Sequence, residues 1–186
     1  MKSSSDRVVE ELSALFAFRA GKRYGLASIN QRAHALQAAY LARTAGMSES
    51  MVVAALLHDI GHMVHSLGEH PASQGVDDHH EVLGADWLEP WFGGEVTEPI
   101  RLHVQAKRYL CSVEPGYFES LSLDSVESLA LQGGRMSDTE VAAFRMTPGW
   151  KDAVALRRID DQAKDPTMST PGFNDFVASI RACARR

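Results

Sequence analysis

The stretch Val52-Val53-Ala54-Ala55-Leu56-Leu57-His58-Asp59-Ile60-Gly61-His62-Met63-Val64 decides how the rest of the chain is read. It is apolar nearly all the way round, which marks the central, buried helix of a helical protein. Ser48 to Ser50 stand ready to open that helix. An ionisable pair, His58-Asp59, follows directly on the apolar run. Burying a carboxylate there costs several kcal/mol unless it is paired or bound to a metal. The pair is therefore either a hydrogen-bonded helix end or part of a metal site.

Outward from this run the pattern stays helical, and no period-2 strand or hairpin turn interrupts it. Val8, Leu12, Leu15 and Phe16 define a first helix, with Ser5 or Asp6 as N-cap. Residues 22–28 break around Gly25. An Ala-rich helix covers about 30–45 and ends at Gly46. Residues 65–78 read as a polar loop, in which His65 and His70 are expected to be exposed. Further helices are predicted over about 79–92, from Thr97-Glu98-Pro99 onward, over 122–132, Met136–Phe144, Trp150–Lys164 and 172–184, with 112–121 irregular. The fold class is all-α, a single compact domain over 1–186 with about eight or nine helices.

Composition narrows the function. With 186 residues, 45% hydrophobic and 23% charged, the chain can bury roughly 70% of its unfolded surface. A formal charge of −5 disfavours nucleic acid as a partner, since phosphate backbones need a basic face. Cys111 and Cys183 have no zinc-ligand spacing, and two cysteines fit a reducing compartment. No apolar run is long enough to span a membrane, and MKSSSDRVVEEL lacks a signal-peptide core. These features point to a cytoplasmic protein without membrane contact.

The unusual feature is eight histidines, several beside carboxylates. His34 shares a helix face with Ala38 and Leu41. His62 lies one turn after His58. His79-His80-Glu81 opens a helix, with Gly84 one turn beyond His80, where a missing side chain permits close packing. His103 is followed one turn later by Lys107. Asp160 has Arg157 and Lys164 at i−3 and i+4.

The series His34, His58-Asp59, His80, His103, Asp160, with the HDIGH form of the central pair, resembles the HD-domain metalloproteins. The resemblance implies an HD-domain helical bundle in which these residues converge on a dinuclear centre. Asp59 would bridge, His34, His58 and Asp160 would complete one metal, and His80 and His103 the other. Either His79 or His80 could supply that ligand; Gly84 at +4, common in HD proteins after this ligand, favours His80. About three ligands per metal leave open positions, as in catalytic sites.

Most HD proteins are metal-dependent phosphohydrolases. The strings Tyr24-Gly25, His34-Ala35-Leu36-Gln37, Asp77-Asp78-His79-His80-Glu81, His103 to Cys111 (HVQAKRYLC), Leu129 to Gly134 (LALQGG) and Leu156 to Lys164 instead resemble the PhnZ-like proteins of phosphonate catabolism. These are mixed-valence diiron oxygenases, and the likeness runs over about residues 20–170. It implies two irons, Fe(II)/Fe(III), with O2 as co-substrate, a small organophosphonate as substrate, and cleavage of its carbon–phosphorus bond. That bond has no leaving group for ordinary hydrolysis, so oxygenation at C1 must first make it labile. Lys107, Arg157 and Lys164, each one turn from a ligand, would hold the phosphonate; His62 and Ser125 would add hydrogen bonds, His62 as a donor. Gln132, at a helix end, reads as a cap for backbone carbonyls. An upstream 2-oxoglutarate-dependent hydroxylase that makes the hydroxylated substrate is implied by the same resemblance.

The chain departs from the family on the segment about 22–30, which corresponds to a lid. There the family carries a Tyr that occupies an iron site until substrate arrives and, three residues later, a Glu that contacts an ammonium. Tyr24 is present, but the Glu position holds Ala27. Losing that acceptor suits a quaternary ammonium, which has no N–H to donate. The expectation is the TmpB-like reaction: (R)-1-hydroxy-2-(trimethylammonio)ethylphosphonate to glycine betaine and phosphate. The same reaction on (R)-2-amino-1-hydroxyethylphosphonate, giving glycine, is the alternative, with Asp161 or Glu81 then facing the ammonium. The late helices, 150–184, complete the site.

Overall fold

The computed structural model describes residues 3–22, 26, 28–69 and 71–185. Among them the chain forms eleven helices, nine of seven residues or more, and no strand. These are α1 (Ser4–Phe18), α2 (Gln31–Thr44), α3 (Glu49–Leu57), α4 (Gly61–Val64), α5 (His80–Leu88) and α6 (Gly94–Val113). After them come α7 (Tyr117–Ser120), α8 (Leu123–Leu131), α9 (Asp138–Met146), α10 (Trp150–Gln162) and α11 (Val177–Cys183). Short 3-10 turns cover Ala72–Gln74 and Phe173–Phe176. No helix is long and apolar enough to cross a membrane among the described residues.

The apolar run is the core, as its pattern demands. Met51 to Leu57 are all buried, and Ser48 caps α3 by accepting the Met51 N–H. The helix does not continue through the HDIGH segment, however. It ends at Leu57. Ile60, His62 and Met63 donate to the carbonyls three residues back, tightening the backbone into a turn before α4 starts. Two ionisable side chains at consecutive helical positions would diverge by about 100°; the turn lets His58 and Asp59 reach one centre.

Gly61 explains the restart. A Cβ there would lie 1.9 Å from the His80 carbonyl oxygen, and one on Gly84 would lie 3.0 Å from the Gly61 nitrogen. Two glycines thus let α5 pass backbone-to-backbone against the HDIGH turn. That contact brings His80 beside His58 and Asp59.

Helix α6 starts a turn earlier than the proline suggested. Pro99 lies inside it and forfeits one ladder hydrogen bond, but the added turn buries Val96 and Thr97 completely or nearly so. Burial of a valine side chain contributes about 1.5 kcal/mol or more, enough to offset the lost bond. α6 packs against α3 and α5 on one side and α10 on the other. It divides the main core, built on α1, α2, α3 and α11, from a second apolar cluster of Tyr109, Leu110, Tyr117, Leu129 and Phe144. The site opens between these two cores.

Smaller differences follow from capping. Ser3, not Ser5 or Asp6, caps α1: its Oγ accepts the Asp6 N–H at 3.1 Å, leaving Asp6 in the first turn where its charge suits the helix dipole. The irregular 112–121 segment contains α7, and the last helix begins as a 3-10 turn.

Candidate metal centre and cavity

Five elements aim side chains at one point. α2 contributes His34, the turn after α3 contributes His58 and Asp59, α5 begins with His80, α6 carries His103 and α10 carries Asp160. All are buried. His79 has a left-handed backbone, φ 47°, and its side chain is 67% exposed. That twist turns His79 out to Asp77 and His80 inward, so the structure places His80 at the centre.

The donor atoms form two groups, His34-His58-Asp160 and Asp59-His80-His103, each with its atoms within 4.8 Å of one another. Asp59 stands between them. Its Oδ2 is 3.5 Å from His34 Nε2, and its Oδ1 is 3.4, 3.6 and 3.7 Å from the Nε2 atoms of His58, His80 and His103. Asp160 Oδ1 lies 3.2 Å from His34 Nε2 and 3.8 Å from His58 Nε2.

The far side of each ring is fixed by a group that can only accept. The Nδ1 atoms of His34, His58 and His103 donate to the carbonyls of Ala163, Ala55 and Ile100 at 2.7, 2.8 and 2.7 Å, and His80 Nδ1 donates to Asp78 Oδ1 at 2.9 Å. Four Nε2 atoms consequently face inward as ligand nitrogens. His34 Nε2 lies 3.1 Å from His58 Nε2, and His80 Nε2 lies 3.2 Å from His103 Nε2. Facing lone pairs at that distance require a shared cation, either a proton or a metal. Burial would raise Asp59 and Asp160, yet the surrounding histidines, with Arg157 and Lys164 beside Asp160, hold both well below the usual carboxylate range. Burial would lower His58 and His80, yet Asp59 and Asp160 lift the first, and hydrogen bonding to Asp78 lifts the second to about 9. The His80–His103 pair thus holds a proton where a metal would sit, and metal binding there would displace it. Imidazole and carboxylate ligands without sulfur suit first-row transition ions. The residues fit a dinuclear centre.

A cavity of about 390 Å³ opens over this centre. His34, Asp59, His62, His80, His103, Lys107, Ser125, Arg157, Asp160 and Lys164 all line it; His58 sits behind them. Lys107 is 2% exposed and donates to Ser128 Oγ at 2.9 Å. Burial, with Arg157 and Lys164 nearby, pushes it down to about 7. Arg157 donates to Asp160 Oδ2 at 2.6 Å, to Ser125 Oγ at 3.3 Å, to the Tyr117 hydroxyl at 3.1 Å, and to Asp161. Lys164 reaches Asp160 at 3.2 Å and Ser125 Oγ at 3.4 Å. The three cations and Ser125 form one wall, next to the first metal-ligand group.

Several expectations meet different outcomes. Tyr24, Gly25, Ala27 and His70 lie outside the described residues. His65 is not an exposed loop residue: it follows α4, its side chain is 5% exposed, and its Nε2 lies 3.0 Å from Asp78 Oδ2. Asp161 and Glu81 do not line the cavity. Asp161 is bound by Arg157 and Tyr117, and Glu81 sits behind His80, its Oε2 3.8 Å from Nδ1. The carboxylates on the outer wall are Asp77, Asp124 and Glu127.

Sequence reasoning missed Gln31 and Asp78. Gln31 Nε2 donates to Asp59 Oδ2 at 3.2 Å, and its buried Oε1 has no partner. Its position one turn before His34 was the available signal. Gln132 lines the cavity with its own Oε1 buried and unpartnered.

Converging histidines around a His-Asp turn, inside an all-α bundle, define a class: the chain belongs to the HD-domain family, whose model matches residues 32–140. Within it, the chain is related to the phosphonate dioxygenases. It is 44% identical over 179 residues to the hydroxymethylphosphonate dioxygenase of Gimesia maris, covering 94% of this chain and 88% of that one. It is 38% identical over 180 residues to the [1-hydroxy-2-(trimethylamino)ethyl]phosphonate dioxygenase (glycine-betaine-forming) of Leisingera caerulea, covering 97% and 92%.

Proposed function

We propose that this chain, a single HD domain, is a diiron dioxygenase that uses O2 to cleave the carbon–phosphorus bond of a 1-hydroxyphosphonate, releasing phosphate and a carboxylic acid. The observation that carries this reading is the wall of Lys107, Arg157, Lys164 and Ser125 set directly beside the His/Asp centre. His34, His58 and Asp160 would hold one iron, His80 and His103 the other, and Asp59 both; Fe(II)/Fe(III) there would supply O2 activation.

The chain's own residues orient the substrate. A phosphonate dianion against Lys107, Lys164, Arg157 and the Ser125 hydroxyl gains charge-assisted hydrogen bonds in a pocket largely shielded from water. With phosphorus seated there, C1 and its hydroxyl fall on the Asp59 side of the cavity. Leu26, Val104 and Leu131 supply apolar lining that limits water.

The substituent on C1 has two readings. Ala27 in place of an acid, a 390 Å³ cavity and outer-wall carboxylates Asp77, Asp124 and Glu127 support the trimethylammonio substrate and glycine betaine as product. Hydroxymethylphosphonate, giving formic acid, is favoured by the 44% identical relative and by a described lining without a Phe, Tyr or Trp ring. The primary-amine substrate has the least support, because Ala27 stands where the family carries its ammonium-binding Glu, Asp161 is bound by Arg157 and Tyr117, and Glu81 does not line the cavity. Turnover of all three by iron-loaded protein tests the choice: the trimethylammonio reading requires its kcat/KM to exceed that of hydroxymethylphosphonate, and the reverse order overturns it. An upstream 2-oxoglutarate-dependent hydroxylase would provide the C1 hydroxyl.

A further inference from the structure

Asp78 joins two histidines of different kinds. Its Oδ1 accepts from His80 Nδ1 at 2.9 Å and from the His80 backbone N–H at 3.3 Å. Its Oδ2 lies 2.7 Å from His62 Nδ1 and 3.0 Å from His65 Nε2. His62, His65 and Asp78 stand close enough to hold a metal ion, but the protons are already assigned. The Leu67 N–H donates to His65 Nδ1 at 3.2 Å. That nitrogen is therefore the acceptor, Nε2 carries the proton, and a metal on Nε2 would need the opposite tautomer.

The same bookkeeping fixes His62. An ionised carboxylate only accepts, so His62 Nδ1 carries the proton and Nε2 is the acceptor nitrogen. The His62 and His80 rings stack with centroids 4.0 Å apart and planes 22° from parallel. Both turn Nδ1 toward Asp78, so both turn Nε2 the other way, and both line the cavity. His62 Nε2 thus runs beside a metal-ligand nitrogen as an acceptor, not as the donor its sequence position suggested.

We propose that Asp78 is a positioning residue: by holding His62 in the Nδ1–H tautomer it presents an acceptor to the substrate, and so selects phosphonates that carry a hydroxyl on C1. That O–H is the one donor that all three candidate substrates share, while Lys107, Arg157 and Lys164 offer donors only and the Ser125 oxygen already accepts from Arg157 and Lys164. His65 anchors the carboxylate from behind, its own carbonyl held by Arg19 at 3.0 Å. The substrate half of the proposal rests on the phosphonate reading; the tautomer half does not.

The test is ¹⁵N–¹H correlation spectroscopy of histidine-labelled, zinc-loaded protein, with His62 and His65 assigned by His62→Gln and His65→Gln. The wild type should show His62 as Nδ1–H and His65 as Nε2–H, and Asp78→Asn should shift His62 toward Nε2–H. Calorimetry with hydroxymethylphosphonate and methylphosphonate should then show the preference for the hydroxylated ligand falling about tenfold in Asp78→Asn. An Nε2–H His62 in the wild type overturns the proposal without any variant having to fold, as does a His62 tautomer unchanged by Asp78→Asn. If the tautomers are as stated but zinc-loaded protein binds neither phosphonate, it is the phosphonate reading that fails, and with it the selection role.

Discussion

Replacing Lys107 by methionine should strengthen the fold and weaken the enzyme. The ammonium is buried against Arg157 and Lys164, and its affinity for a proton drops from 10.5 to about 7. Three and a half units correspond to about 5 kcal/mol of strain on the charged form. The sign follows from the depressed value: below pH 7 both folded and unfolded states carry the charge and the penalty is complete. It fades between pH 7 and 10.5 as the folded state alone loses its proton. Methionine fills similar volume without charge but forfeits the hydrogen bond to Ser128 Oγ, and relaxation absorbs part of the strain. A net gain of about 1–3 kcal/mol remains, raising the melting temperature of substrate-free protein by about 2–10 °C at pH 6 and less at pH 9. The phosphonate loses a charge-assisted bond worth about 1.5–3 kcal/mol, so kcat/KM should fall by about ten- to a hundredfold. Differential scanning calorimetry and steady-state kinetics read the two halves. A variant that is less stable yet turns over normally would refute the reasoning and make Lys107 a strut for α8.

The same depressed value predicts that kcat/KM falls as pH rises through about 7, and that Lys107→Arg moves this limb upward, read from a pH–rate profile. Gly61→Ala sets a Cβ 1.9 Å from the His80 carbonyl; it should cost about 3 kcal/mol or more in denaturant unfolding, and folded protein should lose metal from the His80–His103 side. His80→Ala should lose one metal per chain by elemental analysis and Asp59→Ala both, while His79→Ala, removing an outward ring, should lose none. Gln31→Met, which deletes the amide bonded to Asp59, should weaken metal affinity by about tenfold in chelator competition.

Much of the fold was legible because its signals are periodic. The α3 run can only be core, and the glycine one turn after His80 foretold a close approach. What the periodicity could not show was the turn at 58–60, because i→i−3 tightening leaves the apolar spacing intact. Nor did it show α6 extending a turn before Pro99, where burial of Val96 outweighs the proline. At the site, the residues that could ligate were readable from chemistry and spacing. The way they are held was not. Asp78 looks like another loop acid beside Asp77, and only the folded chain brings His62, His65 and His80 onto it. Arg157 likewise reads as a cation one turn from Asp160, whereas Tyr117 from α7 and Ser125 from α8 join Asp161 of its own helix to hold it.

The central claim is that the paired His/Asp groups and the cationic wall together perform an O2-dependent carbon–phosphorus cleavage. Simultaneous recording of O2 uptake and phosphate release by iron-loaded protein, given hydroxymethylphosphonate and the trimethylammonio substrate in turn, tests it directly. The account predicts one phosphate per O2 consumed with at least one of them, and no phosphate in anaerobic solution. Phosphate release that continues at the same rate without O2 would contradict it and mark the centre as hydrolytic.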